Sequence, residues 1–279
     1  MPATLRPAAV AGSWYPGSAD AIAREVDRYL EDAAVAPLPG RLVALVSPHA
    51  GLRYSGPVAA FGYSLLRGQR ALTVVLVGPS HRVAFDGVAV HARGAWDTPL
   101  GRASIDEEAA AAILAAGGGV AFEDDRVHRE EHSLEMQMPF LQRLVPSLRI
   151  VPLMMGSQSR EEVDALAEAL ATALAGRDVV LVASSDLSHY QPAPLANRLD
   201  AVVVDHIARF DDAGLLARLE AHHNVACGGG PVVVVMRAAR TLGADHATVL
   251  RYADSGDAGE HDKSRVVGYV SAALVASAP

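Results

Sequence analysis

VVLVASSDLSHY, residues 179–190, joins an apolar run of strand length directly to Asp186 and His189. The run is β-branched, too short for a free-standing amphipathic helix, and closed by serine and aspartate, so it reads as a buried strand. Two other runs repeat the design. RLVALVSPH at 41–49 ends in His49, and TVVLVGPSH at 73–81 ends in His81. In an open α/β sheet, ligands gather outside the carboxyl ends of the strands. Three imidazoles delivered there would serve a metal or acid–base chemistry. Not every strand-like run follows the design, since RIVPLMM at 149–155 ends in no histidine.

Outward from these runs, strands alternate with helical patterns. ADAIAREVDRYLEDA at 19–33 places Ile22, Val26, Tyr29 and Leu30 on one helix face. SIDEEAAAAILAA at 104–116 predicts a helix capped by Ser104 with Glu107 three residues on, stopped by the glycines of AAGGGV at 115–120. HSLEMQMPFLQRLV at 132–145 and REEVDALAEALATALAG at 160–176 read as helices on either side of the 149–155 strand. LDAVVVDHIARF at 199–210 and DAGLLARLEAHH at 212–223 read as two more. PVVVVMRAARTLG at 231–243 has strand propensity, but Pro231 at a first-turn position favours helix. SRVVGYVSAALV at 264–275 reads as a closing strand. The expectation is one α/β domain over 1–279, with a mostly parallel central sheet covered by helices on both faces.

Composition narrows the function classes. With 51% hydrophobic and 20% charged residues, the chain is globular. A net charge of −8 argues against nucleic acid as a partner, since phosphate binding needs a basic face. Lys263 is the only lysine, which leaves little room for Schiff-base or Walker-type chemistry. The single cysteine excludes an internal disulfide. No apolar stretch reaches membrane-span length and the N-terminal segment lacks a secretory core, so a cytoplasmic protein away from membranes is expected.

Each candidate residue has a bland alternative. His49 and His81 are ligands or strand caps. Asp186 and His189 lie three apart, so on a helical turn the carboxylate would orient the imidazole; Asp186 could equally cap a helix. Cys227, in HHNVACGGGP, is either a small packed hydrophobe or a thiolate activated at a helix N-terminus. His132 and Glu135, one turn apart, face either a pocket or solvent. Trp14, Tyr15, Tyr54 and Tyr190 flank the motifs and are pocket candidates. His222 and His223 read as surface, and His91, His128, His206, His246 and His261 lack partners at ligand spacing.

RPAAVAGSWYP (6–16), SPHAGLRYSGPVAAFGY (47–63), VVLVGPSHR (74–82), WDTPLG (96–101), EEHSLEMQMPFLQ (130–142), SSDLSHY (184–190), CGGGP (227–231) and VVGYVSAAL (266–274) resemble, in order and along nearly the whole chain, the MEMO family. Its microbial members are also called AmmeMemoRadiSam system protein B. The resemblance implies a fold similar to LigB-type class III extradiol dioxygenases, which are non-haem iron enzymes. It places His49, His81 and Cys227 as metal ligands, with His189 as the acid–base histidine and Asp186 beside it. Extradiol enzymes use two histidines and a carboxylate; a thiolate at the third position softens the site toward Fe(II) or copper, with zinc as the alternative. Three functions follow: a metal-dependent redox or oxygen-handling enzyme, a non-catalytic module for a peptide or small ligand, and a zinc hydrolase. The resemblance also implies pathway partners, a radical SAM enzyme and an AMMECR-type protein.

Overall fold

A computed structural model describes residues 4–222, 225–258 and 262–278. Its strands are β1 (Thr4–Pro7), β2 (Gly40–Ser47), β3 (Ala71–Pro79), β4 (Val88–Val90), β5 (Gly94–Thr98), β6 (Gly101–Ile105), β7 (Ala121–Glu123), β8 (Ser147–Met155), β9 (Val179–Ser184), β10 (His189–Gln191), β11 (His246–Asp254) and β12 (Val266–Ser277). They form one sheet with the main order β1-β5-β6-β8-β3-β9-β2-β12-β10. The centre, β8-β3-β9-β2, is parallel throughout, and Val75 of β3 lies between Val151 and Leu181 in register. Antiparallel pairings lie toward the margins, where β12 joins β2 to β10 and β11.

The parallel strands need crossovers, and the helices that supply them cover the sheet. Helices Arg160–Ala173, Asp212–Ala221 and Gly229–Thr241 pack together, the last lying on β2, β3 and β9. A second group, Ala19–Asp32, Leu52–Tyr63 and Met138–Leu144, packs together with Leu52–Tyr63 on β2 and β12. Strands covered on both faces have no polar side to alternate with, which is why their sequences are continuous apolar runs. All six residues of β9 are buried, as are Leu72 to Pro79 of β3.

Most elements lie where the sequence puts them, including the helix Ala19–Asp32 with its four predicted core residues buried. Pro231 does sit in the first turn of a helix. Three differ. Ser104 is held in the sheet, paired with Ala95 and Arg149, so the next helix starts at Glu107 and Asp106 caps it by accepting from Ala109 N. Residues 132–134 are not helical; after the 3₁₀ turn Glu135–Gln137 the helix runs Met138–Leu144. The backbone N–H groups of His132 and Ser133 are spent on the Glu131 carboxylate instead. His189 starts a short strand, not a helical turn.

Two of the unpartnered histidines are packed inside. His91 Nδ1 accepts from Trp96 Nε1 at 3.2 Å, and His128 Nε2 lies 3.1 Å from Ala89 O. Burial lowers the pKa of both rings, that of His128 to about 3. Arg6, beside them, makes a further positive charge less welcome. Unfolded, each ring would titrate near 6.5, so below that pH the unfolded chain binds more protons. The stability that neutral His128 contributes is full above about pH 6.5 and lost as pH falls toward 3, and His91 acts in the same direction. Each ring adds a slope approaching about 1.4 kcal/mol per pH unit. Urea midpoints of the metal-free protein should therefore fall between pH 7 and pH 5, and less steeply in His128→Gln; equal slopes would contradict this assignment. His206 and His246 are bound by Asp211 and Asp245, while His223 and His261 lie outside the described residues.

Candidate metal centre

Because β3, β9 and β2 are adjacent and parallel, their carboxyl ends open on the same edge. His49 follows β2 by two residues, His81 follows β3 by two, and Asp186 follows β9 by two. The rings of His49, His81, His132 and His189 and the carboxyl of Asp186 line one cavity of about 640 Å³. One more donor comes from far along the chain. Cys227 arrives in the turn before helix Gly229–Thr241, with its Sγ 3.2 Å from His49 Nε2.

That turn is fastened from two sides. Cys227 N donates to Asp186 O at 3.2 Å, Asp186 N donates to Cys227 Sγ at 3.3 Å, and Gly228 N donates to Ser185 Oγ at 3.0 Å. On the other side, Gln158 Nε2 donates to Cys227 O and Gln158 Oε1 accepts from Gly230 N, each at 2.9 Å. A Cβ at Gly228 would overlap Ser184 O, so the glycine allows the turn to seat against β9.

The hydrogen bonds fix which nitrogen of each ring is left over. Gln137 Nε2 faces Pro48 O and donates to Ser184 Oγ at 2.8 Å, while Ser184 Oγ donates to Ser133 O at 2.7 Å. Ser184 has then used its only proton, so His49 Nδ1 must be the donor in its 2.9 Å contact with Ser184 Oγ. The lone pair of His49 is left at Nε2, facing Cys227. His81 Nδ1 donates to Glu131 Oε1 at 3.0 Å, which likewise leaves its Nε2 for a metal. His189 Nδ1 donates to Leu187 O at 2.8 Å, so its Nε2 is a base.

Burial dominates the electrostatics. It holds His49 well below the ordinary range, with the neighbouring His81 and His132 adding to the effect, and lowers His132 to about 4. His49 and His132 are therefore neutral at pH 7 and able to ligate. Burial would raise the Glu131 carboxyl, but hydrogen bonds led by His81 hold it well below its usual range. The Asp186 carboxyl is pushed up to about 7 by burial, despite accepting from His49 N. The sulfur of half-buried Cys227 is tucked against the Asp186 backbone, and burial followed by Asp186 raises its thiol. The helix N-terminus thus does not lower it, contrary to expectation. A metal would have to displace the thiol proton.

His49, His81 and Cys227 place one ligand atom each within 4.8 Å of one another. A tetrahedral ion with bonds of about 2.0–2.3 Å spaces its ligands by roughly 3.3–3.8 Å, so small side-chain shifts close the set. His81, Glu131 and His132 form a second group of the same compactness. His132 Nδ1 lies 3.1 Å from Glu131 Oε1 but makes no hydrogen bond.

Two expected arrangements are replaced. Asp186 does not orient His189: its Oδ1 accepts from His49 N at 2.8 Å and Ala50 N at 3.3 Å, fixing the β2 turn, and a backbone carbonyl orients His189 instead. Glu135 does not face the cavity. It is fully buried, paired with Arg6 at 2.7 Å and accepting from Ala9 N, Val10 N and the Tyr15 hydroxyl. Tyr15 goes with it. Trp14, Tyr54, Tyr190 and His132 do line the cavity, and Trp14 packs on the His132 ring at 4.1 Å. Glu131, Ser184, Gln137 and Gln158 were not foreseen. Only Glu131, beside His132 in EEHS, carried a signal that a sequence reading could have used.

Comparison with known proteins gives the family and the fold. A family model described as Memo-like protein matches residues 6–273. A MEMO1 family protein of Methanothermobacter thermautotrophicus is 38% identical over 274 residues, covering 95% of this chain and 98% of that protein. One from Methanosarcina mazei is 38% identical over 270 residues, covering 96% and 98%. The crystal structure of an uncharacterized protein from Escherichia coli K12 shares the fold, with a TM-score of 0.57 at 16% identity, over 84% of this chain and all of that one. From its first strand to its last, the chain belongs to the MEMO family.

Proposed function

We propose that this MEMO-family protein holds Fe(II) or copper on His49, His81 and Cys227 and carries out redox or oxygen-handling chemistry on a small molecule in the adjoining cavity. The observation that carries the reading is the fixed tautomer of His49, whose free Nε2 faces Cys227 Sγ at 3.2 Å. Glu131 supports it by leaving His81 Nε2 free in the same way. Two imidazoles and a thiolate suit iron, copper or zinc and not Mg²⁺ or Ca²⁺. When bound, a redox metal supplies electron exchange and activation of a coordinated ligand.

The protein's own groups handle the protons. His189 accepts one at Nε2 while Leu187 O holds the ring in place. Asp186, with its carboxyl near 7, can carry a proton at neutral pH, so the cavity pairs an acid with a base. Ser184 and Gln137 keep the His49 ring from turning. The pathway partners would be a radical SAM enzyme and an AMMECR-type protein, on the strength of the family alone.

Anaerobic titration with Fe(II), Cu(I) and Zn(II) tests the assignment. The wild-type chain should bind iron or copper, and a Cys227→Ser, His49→Ala double variant should not. Equal binding by both chains would end this reading, and binding of zinc alone would replace redox by hydrolytic chemistry.

A further inference from the structure

The base of the cavity hangs on a single peptide plane. His189 Nδ1 donates to Leu187 O at 2.8 Å, and the N–H of that same amide, Ser188 N, donates at 2.9 Å to Asp200 Oδ1. A peptide unit is rigid, so an acceptor that fixes its N–H also fixes its C=O. A hydrogen bond at the N–H also polarises the carbonyl and strengthens it as an acceptor. The flanking groups go to β12: Leu187 N donates to Gly268 O at 2.9 Å, and Gly268 N donates to Ser188 O at 3.0 Å. Asp200 is the one side chain in this set of four backbone groups.

Neither the metal donors nor the cavity explains Asp200. It lies in the helix Ala193–Ala208, is fully buried and is not part of the cavity wall. A carboxyl group withdrawn from water is costly unless hydrogen bonds replace the solvent. Tyr252 of β11 supplies the second, donating to Oδ2 at 2.8 Å. β12 makes room by placing glycine opposite, since a Cβ at Gly268 would come within 1.9 Å of Oδ2. The backbone just beyond His189 is strained: Tyr190 has a left-handed φ of 59°, where the pairing of β10 with β12 shifts register. Such strain persists only where the surroundings over-determine it, and the Ser188 anchor stands directly before the strained stretch.

We propose that Asp200 is the positioning residue of His189, fixing the Leu187–Ser188 peptide and, through Leu187 O, the tautomer that leaves Nε2 free to accept a proton. This rests on His189 being the base of the cavity, and adds what holds it ready.

Long-range ¹H–¹⁵N correlation of the metal-free protein with labelled histidine reads the tautomer directly, at about pH 8 where imidazoles are neutral. His189→Gln identifies the signal. In the wild-type chain the Nδ1–H form should exceed the Nε2–H form by at least about tenfold, the equivalent of one hydrogen bond. Asp200→Ala should cut that ratio by about fivefold or more. Asp200→Asn, whose amide oxygen still accepts from Ser188 N, should stay within about twofold of wild type. Tyr252→Phe, which frees Oδ2 and lets the carboxyl turn, should lower the ratio by about threefold and decides the matter should Asp200→Ala not fold. His206, on the same helix and bound to Asp211, is the internal control and should not move. A purely structural role would lower the urea midpoint of Asp200→Ala and leave the His189 ratio alone. That result, a loss as large in Asp200→Asn, or a loss shared by His206 would overturn the proposal. An unchanged ratio in a chain that binds metal sinks only the positioning assignment. A wild-type chain that binds no metal sinks the metal reading and leaves the ratio to decide this one.

Discussion

Cys227→Ser is expected to weaken metal binding by about 10²–10³-fold while leaving the fold intact. The magnitude follows from structural metal sites, whose apparent binding energies of about 10–16 kcal/mol divide into roughly 3–4 kcal/mol per ligand. The fold should survive because serine is smaller than cysteine, its hydroxyl can still accept from Asp186 N, and the turn's other fastenings do not involve the sulfur. Cys227 N, Cys227 O, Gly228 N and Gly230 N are all held by backbone or side-chain partners. Competition with a chromophoric chelator gives the affinity, and urea unfolding of the metal-free chains gives the control. A variant that keeps wild-type affinity would remove Cys227 from the ligand set. Because burial keeps the thiol protonated without metal, uptake should also release a proton, and affinity should rise with pH.

Glu131→Ala should damage both metal affinity and stability. The carboxylate accepts from His81 N at 2.5 Å, His81 Nδ1 at 3.0 Å, His132 N at 2.8 Å and Ser133 N at 2.9 Å, in a fully buried position. Its removal leaves several donors without an acceptor, at about 1–3 kcal/mol for each that water cannot reach, or about 3–5 kcal/mol in all. It also frees the His81 ring to turn and change tautomer, and loss of such an outer carboxylate commonly costs about 10–100-fold in metal affinity. Glu131→Gln separates the two effects. The amide keeps one acceptor oxygen and restores part of the stability, but its NH₂ accepts nothing, so the oxygen serves either His81 Nδ1 with the His132 and Ser133 amides or His81 N, not both sets. The expected order of metal affinity is wild type, then Glu131→Gln, then Glu131→Ala. Full affinity in Glu131→Ala would show that the His81 ring is held by something else.

The fold was legible because its centre is parallel and covered on both faces. That arrangement writes itself as uninterrupted apolar runs, and the histidines at their ends were visible for the same reason. Cys227 was legible more weakly, through the glycines that let its turn press against β9. What stayed hidden depends on chain reversals that no local pattern encodes. Glu131 and Glu135 sit on one short segment and look interchangeable. The N-terminal segment, more than a hundred residues away, brings Arg6 and Tyr15 to Glu135 and leaves Glu131 to the histidines. The three-residue spacing of Asp186 and His189 makes a pair only on a helical turn. The chain extends there instead, and the carboxylate finds the amides of the neighbouring β2 turn. Spacing along a sequence predicts a contact only when the local backbone is known.

X-ray absorption of the metal-loaded protein, prepared without oxygen, tests the ligand set most directly. The account predicts one sulfur scatterer near about 2.3 Å and two imidazole nitrogens near about 2.0–2.1 Å, with the sulfur lost in Cys227→Ser. A first shell of nitrogen and oxygen alone in the wild-type protein would contradict it.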